Sequence, residues 1–405
     1  MHKRLVIAGG GPAGMMAGLL FARAGVETLV IEKHGDFLRD FRGDTVHPST
    51  IALFDELGLA NALLAREHDK VTDISARVDG RYYRVADLTH LPVRHRYMVM
   101  MPQWHFLDFV RDAAAAYPCF SLRMDAEVAG LTEQAGRVSG VRLAGGEEIG
   151  ADLVIAADGR GSVLRDAAGL EKQDLGAPID VFWFRVPKQR SPRNETAGQF
   201  SPGTVIAMID RGDYWQCAFV FAKGGADKIR AEGIDAFRRR VASAVPEIAG
   251  DLGAITSWDD VKLLAVSLDR LTRWHRPGLL AIGDAAHAMS PVGGVGINLA
   301  IQDAVAAANI LALPLSQDEP VDQLLNDVQK RRLFPVRVIQ GMQRAVHASV
   351  LGPALGATAK MKAPFALRML DRFPILQRIP ARVVGLGVRR EHIRSPMKKS
   401  AIPME

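Results

Sequence analysis

The sequence predicts an α/β fold: a parallel-sheet domain, an antiparallel-sheet domain and a helical C-terminal region. Three features carry that expectation. Arg4–Ala8, Asp152–Ala157 and Leu279–Ile282 are short apolar runs of the kind that form buried parallel strands. Each run delivers a turn built on glycine or aspartate, and helical patterns follow. Val181–Phe184, Thr204–Ile209 and Tyr214–Phe221 are aromatic and β-branched instead, which marks a second, mostly antiparallel sheet.

Taken in order, Arg4–Ala8 is a strand ended by three glycines, and Pro12–Ala24 is a helix stopped at Gly25. Glu27–Glu32 is the second strand, so a βαβ-type start is complete within the first 32 residues. A charged loop, Lys33–Pro48, leads to a helix at Ser49–Leu57 that stops at Gly58. Gln103–Ala116 is a further helix, ended before Pro118. Strands fill Ala126–Asp158, with tight turns at Gln134–Gly136 and Ala144–Gly146. In the second sheet, Asp210–Asp213 is a hairpin turn, and a helix at Asp235–Val245 lies beside it. Leu279–Ile282 returns to the parallel pattern and a long helix spans Gly296–Leu311. The remainder is helical with proline interruptions. The expected domains are 1–75, 99–175 and 272–320 for the parallel-sheet domain, 76–98 and 176–271 for the second, and 321–405 for the helical region.

Composition narrows the class. The 405 residues are 48% hydrophobic and 24% charged, an ordinary globular balance. Net charge is +6, but most bases are scattered among acids, so nucleic-acid binding is not expected. The exception is Lys360–Lys399, rich in bases and poor in acids. It reads as a solvated helical face, as a weak peripheral contact with an anionic membrane, or as a field that steers an anionic substrate or cofactor. Cys119 and Cys217 are too far apart for a metal motif or a disulfide framework, and they fit a reducing cytoplasm. No metal site is expected. Leu5–Ala22 is uncharged and follows Lys3 and Arg4, which imitates a signal peptide or a span. Its Gly9-Gly10-Gly11-Pro12 break resolves it into strand, turn and helix, and no transmembrane helix is expected.

The first motif is Gly9-Gly10-Gly11-Pro12-Ala13-Gly14, a Gly-x-Gly-x-x-Gly between strand and helix. Gly9 permits the tight turn, Gly11 lets backbone approach a pyrophosphate, and Gly14 lets helix and strand pack closely. The helix start offers unpaired N–H groups to the phosphates. Glu32, eighteen residues past Gly14, accepts hydrogen bonds from a ribose. This is a Rossmann-type dinucleotide clamp. Two further stations follow: Asp158-Gly159 after the second buried run, and Gly283-Asp284 after the third. Ser290–Asn298 then opens a helix with Gly293, Gly294 and Gly296, whose amides suit an electron-rich carbonyl or an anion.

These three stations, in this order, resemble the single-component FAD-dependent aromatic hydroxylases, the p-hydroxybenzoate hydroxylase-like family, over residues 1 to 315. The resemblance implies an FAD monooxygenase that uses NADPH or NADH transiently and O2 to hydroxylate an aromatic or polycyclic substrate, through a hydroperoxide at flavin C4a. It implies FAD contacts at Gly9, Gly11, Pro12, Ala13, Gly14, Glu32, Lys33, Arg42, Gln103, Val128, Asp158, Gly283, Asp284, Pro291, Gly293, Gly294, Gly296, Ile297 and Asn298. Among these, Arg42 is expected at the pyrophosphate, Gln103 at the ribityl or phosphate portion and Val128 at the adenine. Asp158 is expected to fix the turns, Asp284 to bond the ribityl chain, and the Gly293–Asn298 amides to lie at the pyrimidine edge. No second strand-bound Gly-x-Gly-x-x-Gly occurs, so no separate NAD(P)H domain is expected.

The Val181–Phe221 aromatics are the expected wall of a dry pocket. His47, Tyr214 and His287 are candidate bases, His287 more as a brace for its turn; no catalytic residue is assigned. Open alternatives are epoxidation, Baeyer–Villiger insertion, a reductase or dehydrogenase, and a non-catalytic flavin-binding regulator. The chain is expected to be a monomer or a homodimer.

Overall fold

A computed structural model describes residues 2–38, 45–188, 197–359 and 362–398. An eight-stranded sheet draws its strands from between residues 2 and 281. Leu279–Ala281, Glu148–Ala156, His2–Ala8, Thr28–Ile31 and Phe120–Arg123 run parallel in that spatial order. The hairpin of Val128–Gln134 and Arg137–Leu143 extends it antiparallel from Glu148–Ala156. The register matters for function. Ala281 pairs with Ala156, Ala156 with Ala8, and Ala8 with Ile31, so four strands end level with one another. Whatever follows those strands is gathered along one edge of the sheet, where open α/β sheets bind ligands.

The predicted strands and turns are where the sequence placed them. The Pro12–Arg23 helix gives way at Gly25, with φ +86°, and Pro48–Glu56 at Gly58, with φ +75°. Ala135 and Gly136 both have positive φ, which makes the tight hairpin of that pair. The opening helix and the Gly296–Ser316 helix pack together in the main core, from Met15, Phe21 and Val30 to Ile301, Val305 and Leu311. The stretch Val292–Ser316 is the one described helix long and apolar enough to cross a membrane, and most of it is buried in this core.

The second sheet has seven strands in the order Lys262–Leu264, Ile179–Pro187, Tyr214–Ala222, Thr204–Asp210, Ala197–Ser201, Asp73–Val78 and Arg81–Asp87. All neighbours are antiparallel except Ala197–Ser201 and Asp73–Val78. Asp210 accepts the Gly212 N–H at the predicted hairpin. One expectation is corrected. Phe182, Phe184, Phe219 and Phe221 face the Ile234–Ala244 helix, where Phe237 and Trp258 complete an aromatic core. Strand alternation then turns Val181, Trp183, Val205, Ala207, Ala218 and Val220 to the opposite face. That face packs on Val292, Val346, Leu351 and Leu355. The phenylalanines belong to structural packing, and Trp183 with the smaller side chains faces the glycine loop.

After Leu325–Val346 the chain continues through short helices at Phe365–Arg372 and Arg378–Leu386. Both lie along Arg81–Asp87 and cover the second sheet's edge strand.

Candidate FAD site

The level strand ends bring the three stations into contact. A Cβ on Gly9 would meet Ala157 O at 2.3 Å and Asp158 Cα at 2.9 Å. A Cβ on Gly283 would meet Ala13 Cβ at 3.1 Å and Ala300 Cβ at 3.2 Å. The first turn therefore lies against the second, and the third lies against the opening helix.

The glycines of the first turn answer to different forces. Gly9 has φ +104° and no room, and Gly14 would place a Cβ 1.9 Å from Gly9 O, so the protein itself demands both. Gly11 is extended, with φ −73° and ψ −177°, and its Cβ would meet nothing within 4 Å. Neither backbone nor neighbour requires glycine there. The space over its backbone is open, which fits a pyrophosphate lying there. The helix it opens has no side-chain cap and no acid in its first turn, so its free amides are available to phosphate. The residues present fit the dinucleotide that the sequence implies.

Glu32 is buried at the end of Thr28–Ile31. Its Oε2 accepts Gly10 N–H (2.8 Å) and its Oε1 accepts His34 N–H (3.1 Å). Lys33 beside it is exposed. Ala126 N–H donates to Glu32 O, which brings Val128, at the start of its strand, close to the same corner. Gln103 is buried as the first residue of Gln103–Ala115. Arg42 lies outside the described residues.

Asp158 is turned inward. Ser162 Oγ donates to its Oδ1 (2.5 Å) and Leu164 N–H to its Oδ2 (3.3 Å). Burial raises its pKa against those hydrogen bonds. It fixes the turn, as the family resemblance implies. Asp284 at the third station pairs with Arg160, whose Nε lies 3.0 Å from Oδ2 and whose Nη2 donates to Met289 O (3.2 Å). Arg160 was not singled out from sequence, although it stands directly after Asp158-Gly159. Its buried Nη1 has no partner among the described residues, an open donor between the second and third stations.

The Ser290–Asn298 loop is gripped from both sides. Gln343 accepts Ser290 N–H (3.1 Å) and donates to Ser290 O (2.9 Å) and Val292 O (3.0 Å). Thr45 Oγ1 donates to Gly294 O (3.1 Å). Asn298 Oδ1 accepts His47 N–H (3.1 Å) and Thr50 Oγ1–H (2.6 Å). Gly293 and Gly294 have φ +82° and +61°, a double left-handed turn. Pro291 and Ile297 are half-buried on either side, and Gly296 begins the long helix.

Of the candidate bases, His47 is wholly buried. Its Nδ1 bonds Val384 O (2.7 Å), while Nε2 faces Gly294 without a full hydrogen bond. Burial pushes its pKa down to about 4. His287 is a brace: its Nε2 lies 2.6 Å from Asp303 Oδ2, which also accepts Gly283 N–H (3.1 Å). Tyr214 lies at the hairpin with the Arg185 guanidinium 5.1 Å over its ring.

Asp303 was also missed from sequence. Arg332 Nε donates to its Oδ1 (2.8 Å), and Arg332 Nη1 reaches Glu391 Oε1 (3.3 Å), all of them buried. Burial pushes the Asp303 carboxyl up, but His287 and Arg332 outweigh it and hold it below the usual carboxylate range. This network ties the third station to the Leu325–Val346 helix and to the distant Glu391.

Comparison with known proteins follows the same lines. A profile of the family described as FAD binding domain matches residues 3–342. The 6-methylpretetramide 4-monooxygenase of Streptomyces rimosus is 31% identical over 412 residues, covering 99% of this chain and 96% of that protein. The crystal structure of PqsL from Pseudomonas aeruginosa has a TM-score of 0.75 at 21% identity, covering 88% of this chain and 98% of that one. OxyS anhydrotetracycline hydroxylase from Streptomyces rimosus has a TM-score of 0.71 at 22% identity, covering 95% of this chain and 76% of that one. The two structures carry the fold; the profile and the 31% relative carry the family. An open glycine backbone at the helix start, set where three turns meet, agrees with them, and the chain belongs to the p-hydroxybenzoate hydroxylase-like family of FAD-dependent monooxygenases.

Proposed function

We propose that the chain hydroxylates a polycyclic aromatic substrate held between the Ser290–Asn298 loop and the small-residue face of the second sheet. The observation that carries this is one apolar layer with one open donor. Val292 of the loop packs with Trp183, Ala207 and Ala218, and the buried Trp183 Nε1 has no partner among the described residues. An apolar ring system with an oxygen acceptor suits such a wall. The 31% relative is named for 6-methylpretetramide, and others for anhydrotetracycline, which favours several fused rings over a single phenol.

Bound FAD supplies reduction by NAD(P)H and activation of O2. The chain supplies the rest. Gly11, Ala13 and Gly14 present amides to the pyrophosphate, Gly9 and Pro12 shape the turn that aims them, and Glu32 with Lys33 takes the adenosine ribose end. Gln103, Val128, Gly283 and Asp284 hold the remaining nucleotide and ribityl portions, with Arg42 at the phosphates. Asp284 is kept in place by Arg160, and Asp158 by Ser162. Gly293, Gly296, Ile297 and Asn298 aim amides at the ring's pyrimidine edge, where they stabilise negative charge, while Pro291 and Gly294 close the turn that presents them. The apolar layer excludes water, which keeps the reaction from uncoupling.

The test is a screen of aromatic and polyketide-like compounds for stimulated NAD(P)H consumption, with labelled O2 and mass spectrometry. A product carrying one labelled oxygen atom supports the reading. Flavin reduction without any oxygenated product across the panel sinks it and points to a reductase.

A further inference from the structure

The segment Lys362–Arg382 has a surface that the oxidative chemistry does not use. Phe365, Ile375 and Ile379 are 64–70% exposed and Phe373 is 46% exposed. Between them stand Lys362, Arg368, Arg372, Arg378 and Arg382, all exposed. The only acid in the stretch is Asp371, already paired with Arg81 (3.3 Å). The Arg368 guanidinium lies 6.0 Å over the Phe365 ring and that of Arg372 5.7 Å over Phe373, so cations sit directly beside the apolar anchors. The Phe365–Arg372 and Arg378–Leu386 helices join through Pro374–Gln377, and Gln377 Nε2 donates to Leu370 O (2.9 Å). The strip is therefore one connected element along the sheet edge. Beside it, Arg81, Arg368 and Arg372 with Tyr83 and Asp371 bound an open cleft, three guanidiniums against one carboxylate.

We propose that this strip docks the protein on an anionic lipid surface. Exposed Phe and Ile side chains interleaved with Arg and Lys are the make-up of interfacial segments, whose apolar tips enter the acyl boundary while the cations meet headgroup phosphates. A second copy of this chain is a poor occupant. A two-fold contact sets a patch against itself, and here it would press five cations against five. A bound peptide needs a groove, whereas these apolar side chains protrude. The Arg378–Leu386 helix that carries Ile379 and Arg382 also carries Val384, whose carbonyl meets His47 Nδ1 (2.7 Å) beside the glycine loop. Docking would thus bring an apolar substrate dissolved in lipid close to the site. That consequence rests on the monooxygenase reading; the docking does not.

The experiment is co-sedimentation of the flavin-loaded full chain with vesicles of phosphatidylcholine alone or mixed with phosphatidylglycerol. Binding to the mixed vesicles, weakened by salt and small on phosphatidylcholine alone, is expected. Combining Phe365→Ser, Ile375→Ser and Ile379→Ser should lower partitioning about tenfold or more. Combining Arg368→Gln, Arg372→Gln and Arg378→Gln should do the same by about tenfold. Lys228→Gln, Arg239→Gln and Lys262→Gln, exposed elsewhere, should leave binding within about twofold of the original. Flavin content and the thermal melt of each variant verify its fold, because every altered side chain is exposed. Three results overturn the proposal: no vesicle binding by the original chain, an equal loss in the control triple, or conversion of a dimer to a monomer by the serine triple without any effect on vesicles.

Discussion

The nucleotide crevice and the small-residue face of the second sheet meet at the glycine loop, yet they are built by opposite means. The crevice is made of backbone. Its key positions are fixed by dihedral angles, by turns that touch, and by a glycine at the helix start that leaves backbone open to an occupant. The sheet face is made of ordinary apolar side chains whose role depends on which way each strand turns them. A backbone site tolerates little and writes itself into local sequence. A side-chain surface tolerates much, and it reads out only when the facing layer is known.

The sharpest way to break that contrast is Gly11→Val. The crevice reading expects complete loss of bound flavin, measured by visible absorbance of the purified protein, with a thermal melt matching that of the flavin-free original chain, because no protein atom lies within 4 Å of the new Cβ. Retained stoichiometric flavin refutes the clamp. Asp303→Ala comes next. It leaves a wholly buried Arg332 with Glu391 alone and should cost about 3–5 kcal/mol in denaturant unfolding. Replacing Asp303 and Arg332 together by leucine should recover much of that loss.

Acid acts on the loop through His47. Its folded pKa, about 4, lies below the unfolded value near 6.5, so the unfolded chain binds more protons between those limits. Stability is full above pH 6.5 and falls as pH drops toward 4, by roughly 3 kcal/mol from this group. His347, lowered by burial, adds in the same direction. His47→Asn should flatten that part of the pH–stability curve, and an unaltered slope would remove His47 from the account.

Asp284→Ala should weaken FAD affinity by roughly 1–3 kcal/mol in titration calorimetry, the cost of a charge-assisted hydrogen bond. Unchanged affinity would leave it as a partner of Arg160 alone. The smallest effect belongs to the sheet face. Trp183→Phe should raise KM by about fivefold, one neutral hydrogen bond, with flavin content unaltered. A change in flavin content with KM unmoved would assign Trp183 to packing.

How much of this was legible follows the same division. The three stations, their strands and their helices were readable because glycine, proline and short β-branched runs constrain the chain locally. His287 was readable as a brace from its place after Gly283-Asp284. The phenylalanines were set against the pocket when they face a helix, because alternation gives two faces and not which layer covers each. Arg160, Asp303 and Arg332 were passed over for a related reason. Their partners lie 124 residues away for Arg160 and 29 for the Asp303–Arg332 pair, and no local pattern announces a long-range hydrogen bond.

Glu391 has a consequence in the order of synthesis. It is translated after Asp303 and Arg332, yet it supplies the second carboxylate that the buried guanidinium of Arg332 depends on. Ser395 O and Lys398 N–H then close onto Arg23 in the opening helix. A nascent chain halted before these residues leaves Arg332 with Asp303 alone and its first helix unclasped. The last-made part of the described chain thus tightens the core it closes on, and copies truncated before Glu391 should be cleaved faster by added protease than the full chain.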